Sequence, residues 1–118
     1  MTATQRRVIV ESPYKGDTDE GVARNEEYAR ACLSDCLTVH GEAPFASHLL
    51  YTQKGVLNDR DPHERKTGIE AGLAWVRVAD ATVVYTDLGI SDGMQQGIDR
   101  AIAEGRPVEY RRLRAYFL

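Results

Sequence analysis

Short runs of β-branched residues along the chain are separated by longer stretches in which apolar residues recur every three or four positions. Arg6 to Glu11 (RRVIVE) holds three β-branched residues in a row and predicts a short buried strand. Ser12-Pro13-Tyr14-Lys15-Gly16-Asp17 follows, where proline and glycine exclude both strand and helix. Asp17 or Thr18 then offers an N-cap for a helix running to about Val39. Val22, Ala29, Leu33 and Cys36 recur at helical spacing there, Cys32 and Leu37 widen the stripe, and Gly41 ends it. Glu42 to His48 reads as a weaker strand interrupted by Pro44, and residues 49–60 show no period and read as loop.

Asp61-Pro62-His63-Glu64 has the chemistry of a helix start: an aspartate N-cap, proline at the first helical position and a capping-box glutamate at the third. Ile69, Leu73, Val76 and Val78 or Ala79 form the apolar face of that helix, with Trp75 alongside. Ala81 to Thr86 predicts a strand and 87–92 a loop, a helix from about Ser91 ends at Gly105, and Pro107 to Leu113 predicts the last strand. The order is β-α-β-α-β-α-β. It predicts an α/β, three-layer domain whose mostly parallel sheet of four or five strands carries helices on both faces. Ligands of such sheets bind beyond the carboxyl ends of the strands. The loops Ser12–Asp17 and Asp87–Gly93 occupy that place.

The 118 residues suit one domain, 1–118, large enough to fold without disulfides or metal. A net charge of -3 argues against a nucleic-acid backbone or an anionic membrane as main partner. The one basic cluster, Arg111, Arg112 and Arg114, is expected to be a solvated or interface edge. Val8 to Val10 is too short for the apolar core of a signal peptide, and nothing approaches a membrane span. Cys32 and Cys36, four apart on one helix face, suit buried thiols better than a disulfide or a zinc site. A reducing cytoplasmic compartment is therefore expected. His48, His63, Asp59 and Asp61 match no metal-site spacing, so neither metal nor cofactor is expected.

In the two loops, the Ser91-Asp92-Gly93 turn leads into a helix start, where free N–H groups and the helix dipole favour an anion. Ser91 could cap that helix, contact a ligand, or both, with Gly93 and Met94 beside it. Lys15, next to Gly16, could pair with a phosphate, Ser12 could donate a hydroxyl, and Tyr14 could stack on a base. Asp87 is placed for a ribose hydroxyl. Asp17 and Asp92 work against tight phosphate binding.

Taken together, Ser12-Pro13-Tyr14-Lys15-Gly16-Asp17, Pro44…Ser47-His48-Leu49, Glu64-Arg65…Gly68 and Ser91-Asp92-Gly93-Met94 resemble the nucleoside 2-deoxyribosyltransferase-like superfamily. The likeness is strongest to a small branch common in phages and bacteria. It implies a flavodoxin-like or Rossmann-like fold, a homodimer or higher homo-oligomer, and a pocket for a nucleoside or nucleoside 5′-monophosphate. Active members of the superfamily cleave or exchange the N-glycosidic bond. They use a glutamate nucleophile on the helix after the third strand and an aspartate on the preceding helix. Carried onto this chain, those positions fall on Gly97 and Gly72, while Ser12, Lys15 and Ser91 match the phosphate-holding positions.

The resemblance thus implies a nucleotide- or nucleoside-binding protein in which glycines replace the catalytic carboxylates. One alternative is an N-glycosidase, of deoxyribosyltransferase or 5′-monophosphate hydrolase type, using a displaced carboxylate such as Glu70, Asp87 or Asp92. Glu70 should point away from the Gly72 position, since two residues turn a helix by ~200°. Another alternative is a phage-type protein-interaction module with an exposed apolar patch.

Overall fold

The computed structural model describes residues 5–113. Its elements are β1 (Arg7–Glu11), α1 (Asp19–Thr38), β2 (Ala43–Phe45), α2 (Ser47–Leu50), α3 (Pro62–Ala74), β3 (Ala81–Tyr85), α4 (Asp92–Ala103) and β4 (Val108–Arg111). A 3₁₀ turn at Val76–Val78 links α3 to β3. The four strands form one all-parallel sheet in the order β2-β1-β3-β4, an α/β architecture of the Rossmann or flavodoxin kind. Val8 pairs with Pro44 on one side and Ala81 on the other, and Thr82 pairs with Val108. Pro44, which cannot donate to a ladder, sits in the edge strand β2.

Side chains alternate across the sheet, and the core divides accordingly. Val8 and Val10 of β1 and Ala81, Val83 and Tyr85 of β3 pack against Tyr28, Cys32 and Cys36 of α1. On the opposite face Ile9 meets Val76, Ala79 and Ala101, while Val84 meets Met94 and Ile98 of α4. Glu11 follows Ile9 by two and so falls on the α4 face. The chain leaves β1 toward β2 on one side and returns to β3 on the other. The carboxyl ends of β1 and β3 therefore flank a topological switch point, where such sheets bind ligands.

Local chemistry sets the helix ends. Thr18 caps α1 by accepting from the Gly21 N–H, and Asp61 caps α3 by accepting from the N–H groups of His63 and Glu64. Gly41 and Gly105 follow α1 and α4 at φ +64° and +67°, a left-handed backbone that glycine enters without strain.

Several sequence expectations need correction. The second strand is three residues long, and Ser47–Leu50, expected as strand and loop, is a helical turn. The buried stripe of α1 is Asn25, Tyr28, Ala29, Cys32 and Cys36. Leu37, one position off the i, i+4 row, is exposed. The Glu64 carboxylate accepts from the Asn58 N–H rather than closing a capping box on Asp61. Arg111 is not a solvated edge: its guanidinium forks onto both oxygens of buried Glu42 at 2.7 Å and reaches Glu109. Arg114 lies outside the described residues.

Cys32 and Cys36 are buried and unpaired, and burial pushes both thiols up, away from reactivity. Among the described residues no helix is long and apolar enough to cross a membrane.

Candidate functional site

A cavity of about 450 Å³ opens at the carboxyl ends of β1 and β3. The loop after β1, α2, one face of α3 and the first turn of α4 wall it. An open trough of about 880 Å³ adjoins it, sharing Tyr14, Lys15 and Arg65 and running along residues 54–60.

The first wall is a stiff loop. The amide of buried Asn25 donates to the carbonyls of Tyr14 and Lys15, tying the loop to α1. A Cβ at Gly16 would stand 2.8 Å from the backbone of Gly21 and Val22, so only glycine allows this approach to the first turn of α1. Ser12 is buried, and its Oγ lies 2.7 Å from Nε2 of His48 on α2. The Tyr14 ring meets the His48 ring edge-on at 6.5 Å. Burial lowers His48 to about 4, which makes it a neutral imidazole sharing a hydrogen bond with the Ser12 hydroxyl.

The second wall is the start of α4. Ser91 Oγ accepts from the Met94 N–H at 3.3 Å, and the Ser91 N–H in turn approaches Met94 Sδ at 3.4 Å. Arg65 of α3 reaches this turn: a Cβ on Gly93 would lie 3.8 Å from its Nη2. The same guanidinium holds Asp59 at 2.7 Å. Positive charge thus stands beside the N–H groups of a helix start, a combination suited to an oxyanion.

Two glycines, Gly72 lining the cavity and Gly97 behind Glu11, leave room that neighbouring side chains occupy. A Cβ at Gly97 of α4 would stand 2.1 Å from Oε2 of Glu11, so the Glu11 carboxyl fills the volume a side chain at 97 would take. A Cβ at Gly72 of α3 would stand 2.4 Å from Oγ and 2.7 Å from Cβ of Ser47. Glu11 makes no side-chain hydrogen bond or ion pair among the described residues. Burial alone pushes its carboxyl up to about 8.

Of the residues singled out from sequence, Ser12, Tyr14, Lys15, Ser91, Gly93 and Met94 line this one cavity, as does exposed Asp92. Gly16 borders the outer trough. Asp87 lies elsewhere: its carboxylate accepts from the Tyr28 hydroxyl and from the Leu113 N–H at 2.9 Å. Glu70 is exposed on α3 beside Lys66. Sequence reasoning passed over Glu11, Arg65 and Ser47 as cavity residues. Glu11 carried a usable signal, being a carboxyl at the last position of an otherwise apolar central strand, on the face opposite Val10. Among the described residues no cluster of His, Cys, Asp or Glu could hold a metal ion.

The fold and cavity define an α/β protein with an open crevice at the switch point of a parallel sheet. This chain belongs to the family described as a domain of unknown function (DUF7768), which matches residues 6–111. Its structure is similar to that of a 2-deoxyribosyltransferase from the psychrotolerant bacterium Bacillus psychrosaccharolyticus, described as a biocatalyst for nucleoside synthesis. That likeness has a TM-score of 0.57 at 17% identity and covers 90% of this chain and 72% of the other, and it is a likeness of fold. Comparison with curated proteins gives no match.

Proposed function

We propose that this protein binds a nucleoside or nucleoside 5′-monophosphate in the cavity at the ends of β1 and β3. The observation that carries the reading is the convergence of hydroxyls, cations and a helix start on one cavity. Ser12 and Lys15 come from the first loop, Arg65 from α3 and Ser91 from the start of α4. A phosphate would meet Lys15, Arg65 and the free N–H groups of α4, and Tyr14 offers an aromatic face for a base. The volume of about 450 Å³ falls within the ~300–1,000 Å³ of small-molecule sites. Further support is the fold shared with an enzyme named for acting on 2-deoxyribosyl groups.

A thermal-shift panel of common nucleosides and their monophosphates tests this. A ligand at a hundred times its dissociation constant should stabilise the fold by about 2.7 kcal/mol. No shift from any member at millimolar concentration removes the reading. A homodimer or higher homo-oligomer belongs to the same proposal, supported by the resemblance and by the small core, which leaves helix faces partly uncovered. Light scattering that gives a monomer at tens of micromolar removes it.

A further inference from the structure

Among the described residues the half-buried Glu11 carboxyl has no side-chain partner, although withdrawing an unpaired carboxyl from water destabilises a protein. The other acids around the cavity are accounted for: Asp59 holds Arg65, Glu64 accepts from Asn58, and Asp92 is exposed. The helix opposite gives up a side chain at Gly97 to make room for the Glu11 carboxyl. A glycine inside a helix and an unpaired acid on a central strand both oppose stability, and they meet at the floor of the ligand cavity. A carboxyl without a counter-charge, set on a cavity in space that a helix vacates, points to function.

We propose that Glu11 is the catalytic carboxylate of this cavity and that the protein hydrolyses the N-glycosidic bond of a bound nucleoside or nucleotide. This rests on the binding reading above and adds the reaction and its reacting group. One Glu11 oxygen bonds to the anomeric carbon as the bond from that carbon to the base nitrogen breaks. The electron pair of the broken bond stays on the base, which takes a proton from water and leaves hydroxide. Attack of that hydroxide on the anomeric carbon frees Glu11 as carboxylate. In sum one water is consumed, and free base and free sugar form. An unpaired carboxylate in a partly dry site is stabilised by the oxocarbenium-like charge of the transition state more than by the neutral ground state.

The other charged and titratable groups lining this cavity are Tyr14 and Lys15 of the first loop, His48 of α2, Tyr51 and Asp59 of the segment after it, Glu64 and Arg65 of α3 and Asp92 of α4. None of them pairs with Glu11. Its ionised fraction therefore grows as pH rises through about 8.

The test incubates the protein with 2′-deoxynucleosides and 2′-deoxynucleoside 5′-monophosphates of the four common bases, and follows free base by chromatography. Wild type should release base, faster as pH rises toward about 8. Glu11→Gln, which keeps the shape of the side chain, should lose about a hundredfold or more while keeping its ligand-induced thermal shift. A thermal shift with no base release at any pH between about 6 and 9 overturns this proposal and leaves the binding reading standing. Base release by Glu11→Gln at the wild-type rate also overturns it. The absence of any thermal shift defeats the binding reading and this one with it. A readout independent of activity is Gly97→Glu, which should destabilise the wild-type chain more than it destabilises the Glu11→Ala variant. Equal losses in the two backgrounds mean that the positions do not share a volume, and overturn the placement.

Discussion

Glu11 on β1 and Gly97 on α4 share one side-chain volume: a Cβ on Gly97 would lie 2.1 Å from Glu11 Oε2 and 2.5 Å from its Cδ. A carboxyl thus reaches the cavity floor from the sheet at the level where α4 has no side chain. Two residues distant in sequence are therefore coupled, and the coupling can be measured.

Gly97→Ala should have opposite effects in two backgrounds. Alanine inside a helix is worth about 1 kcal/mol over glycine. In the Glu11→Ala background that gain should appear in full as a higher urea midpoint. With Glu11 present the new methyl must displace the carboxyl, and the gain should vanish or reverse. A double-mutant cycle by urea denaturation should give a coupling of about 1 kcal/mol or more. Additive effects would mean that the carboxyl moves aside freely.

Gly72→Ala meets a less yielding neighbour. The added methyl would stand 2.7 Å from Cβ of Ser47, an atom fixed to the backbone of α2. Overpacking of this kind costs about 1–3 kcal/mol, enough to exceed the helix-propensity gain. The variant should lower the melting temperature, and Ser47→Gly in the same chain should recover part of the loss. A Gly72→Ala variant as stable as the parent would show that α2 and α3 separate at little cost.

Stability should depend on pH through two groups that pull in opposite directions. Glu11, raised from 4.5 to about 8, contributes stability that is full below about pH 4.5 and lost as pH rises through about 8. His48, lowered from 6.5 to about 4, contributes stability present above about pH 6.5 and lost as pH falls through about 4. Between about 4.5 and 6.5 the slopes oppose, and from there to about 8 Glu11 acts alone and stability falls. Glu11→Gln lacks that fall, so its urea midpoint should gain on wild type as pH rises through this upper window. Parallel midpoints for the two proteins across the window would show that Glu11 does not titrate there.

Ser91 separates capping from ligand binding. Its hydroxyl accepts from the Met94 N–H, so Ser91→Ala should cost about 1 kcal/mol of stability. Ser91→Asp keeps the cap and suits the positive end of the helix dipole, and apo stability should hold or rise. Its added charge should weaken the best nucleotide of the thermal-shift panel about tenfold, or ~1.4 kcal/mol. Unchanged affinity, measured by calorimetry, would move the anion site away from the start of α4.

Most of the fold was legible because it depends on local patterns. Val8-Ile9-Val10 and Ala81–Tyr85, the latter broken only by Thr82, are β-branched and apolar runs of the kind that form strands buried on both faces. Thr18, Asp61 and Ser91 announce helix starts through side-chain oxygens that meet N–H groups two or three residues on. Ser47–Leu50 was not legible, because one helical turn is too short to show a period. The buried Arg111–Glu42 pair escaped for a different reason. Its partners are far apart in sequence, and each alone reads as a surface charge.

The sequence by itself therefore determined the order of the strands and of the three long helices, the parallel sheet and the two loops at its carboxyl edge. Short-range hydrogen bonding and the period of burial decide those features, and both are written in neighbouring residues. Only the tertiary structure decided what stands on the cavity floor. It set Glu11 where Gly97 leaves space and Ser47 where Gly72 leaves space, and it kept Asp87 on Tyr28 and Leu113. Those relationships cross between elements, where packing distance rather than sequence spacing determines which groups meet.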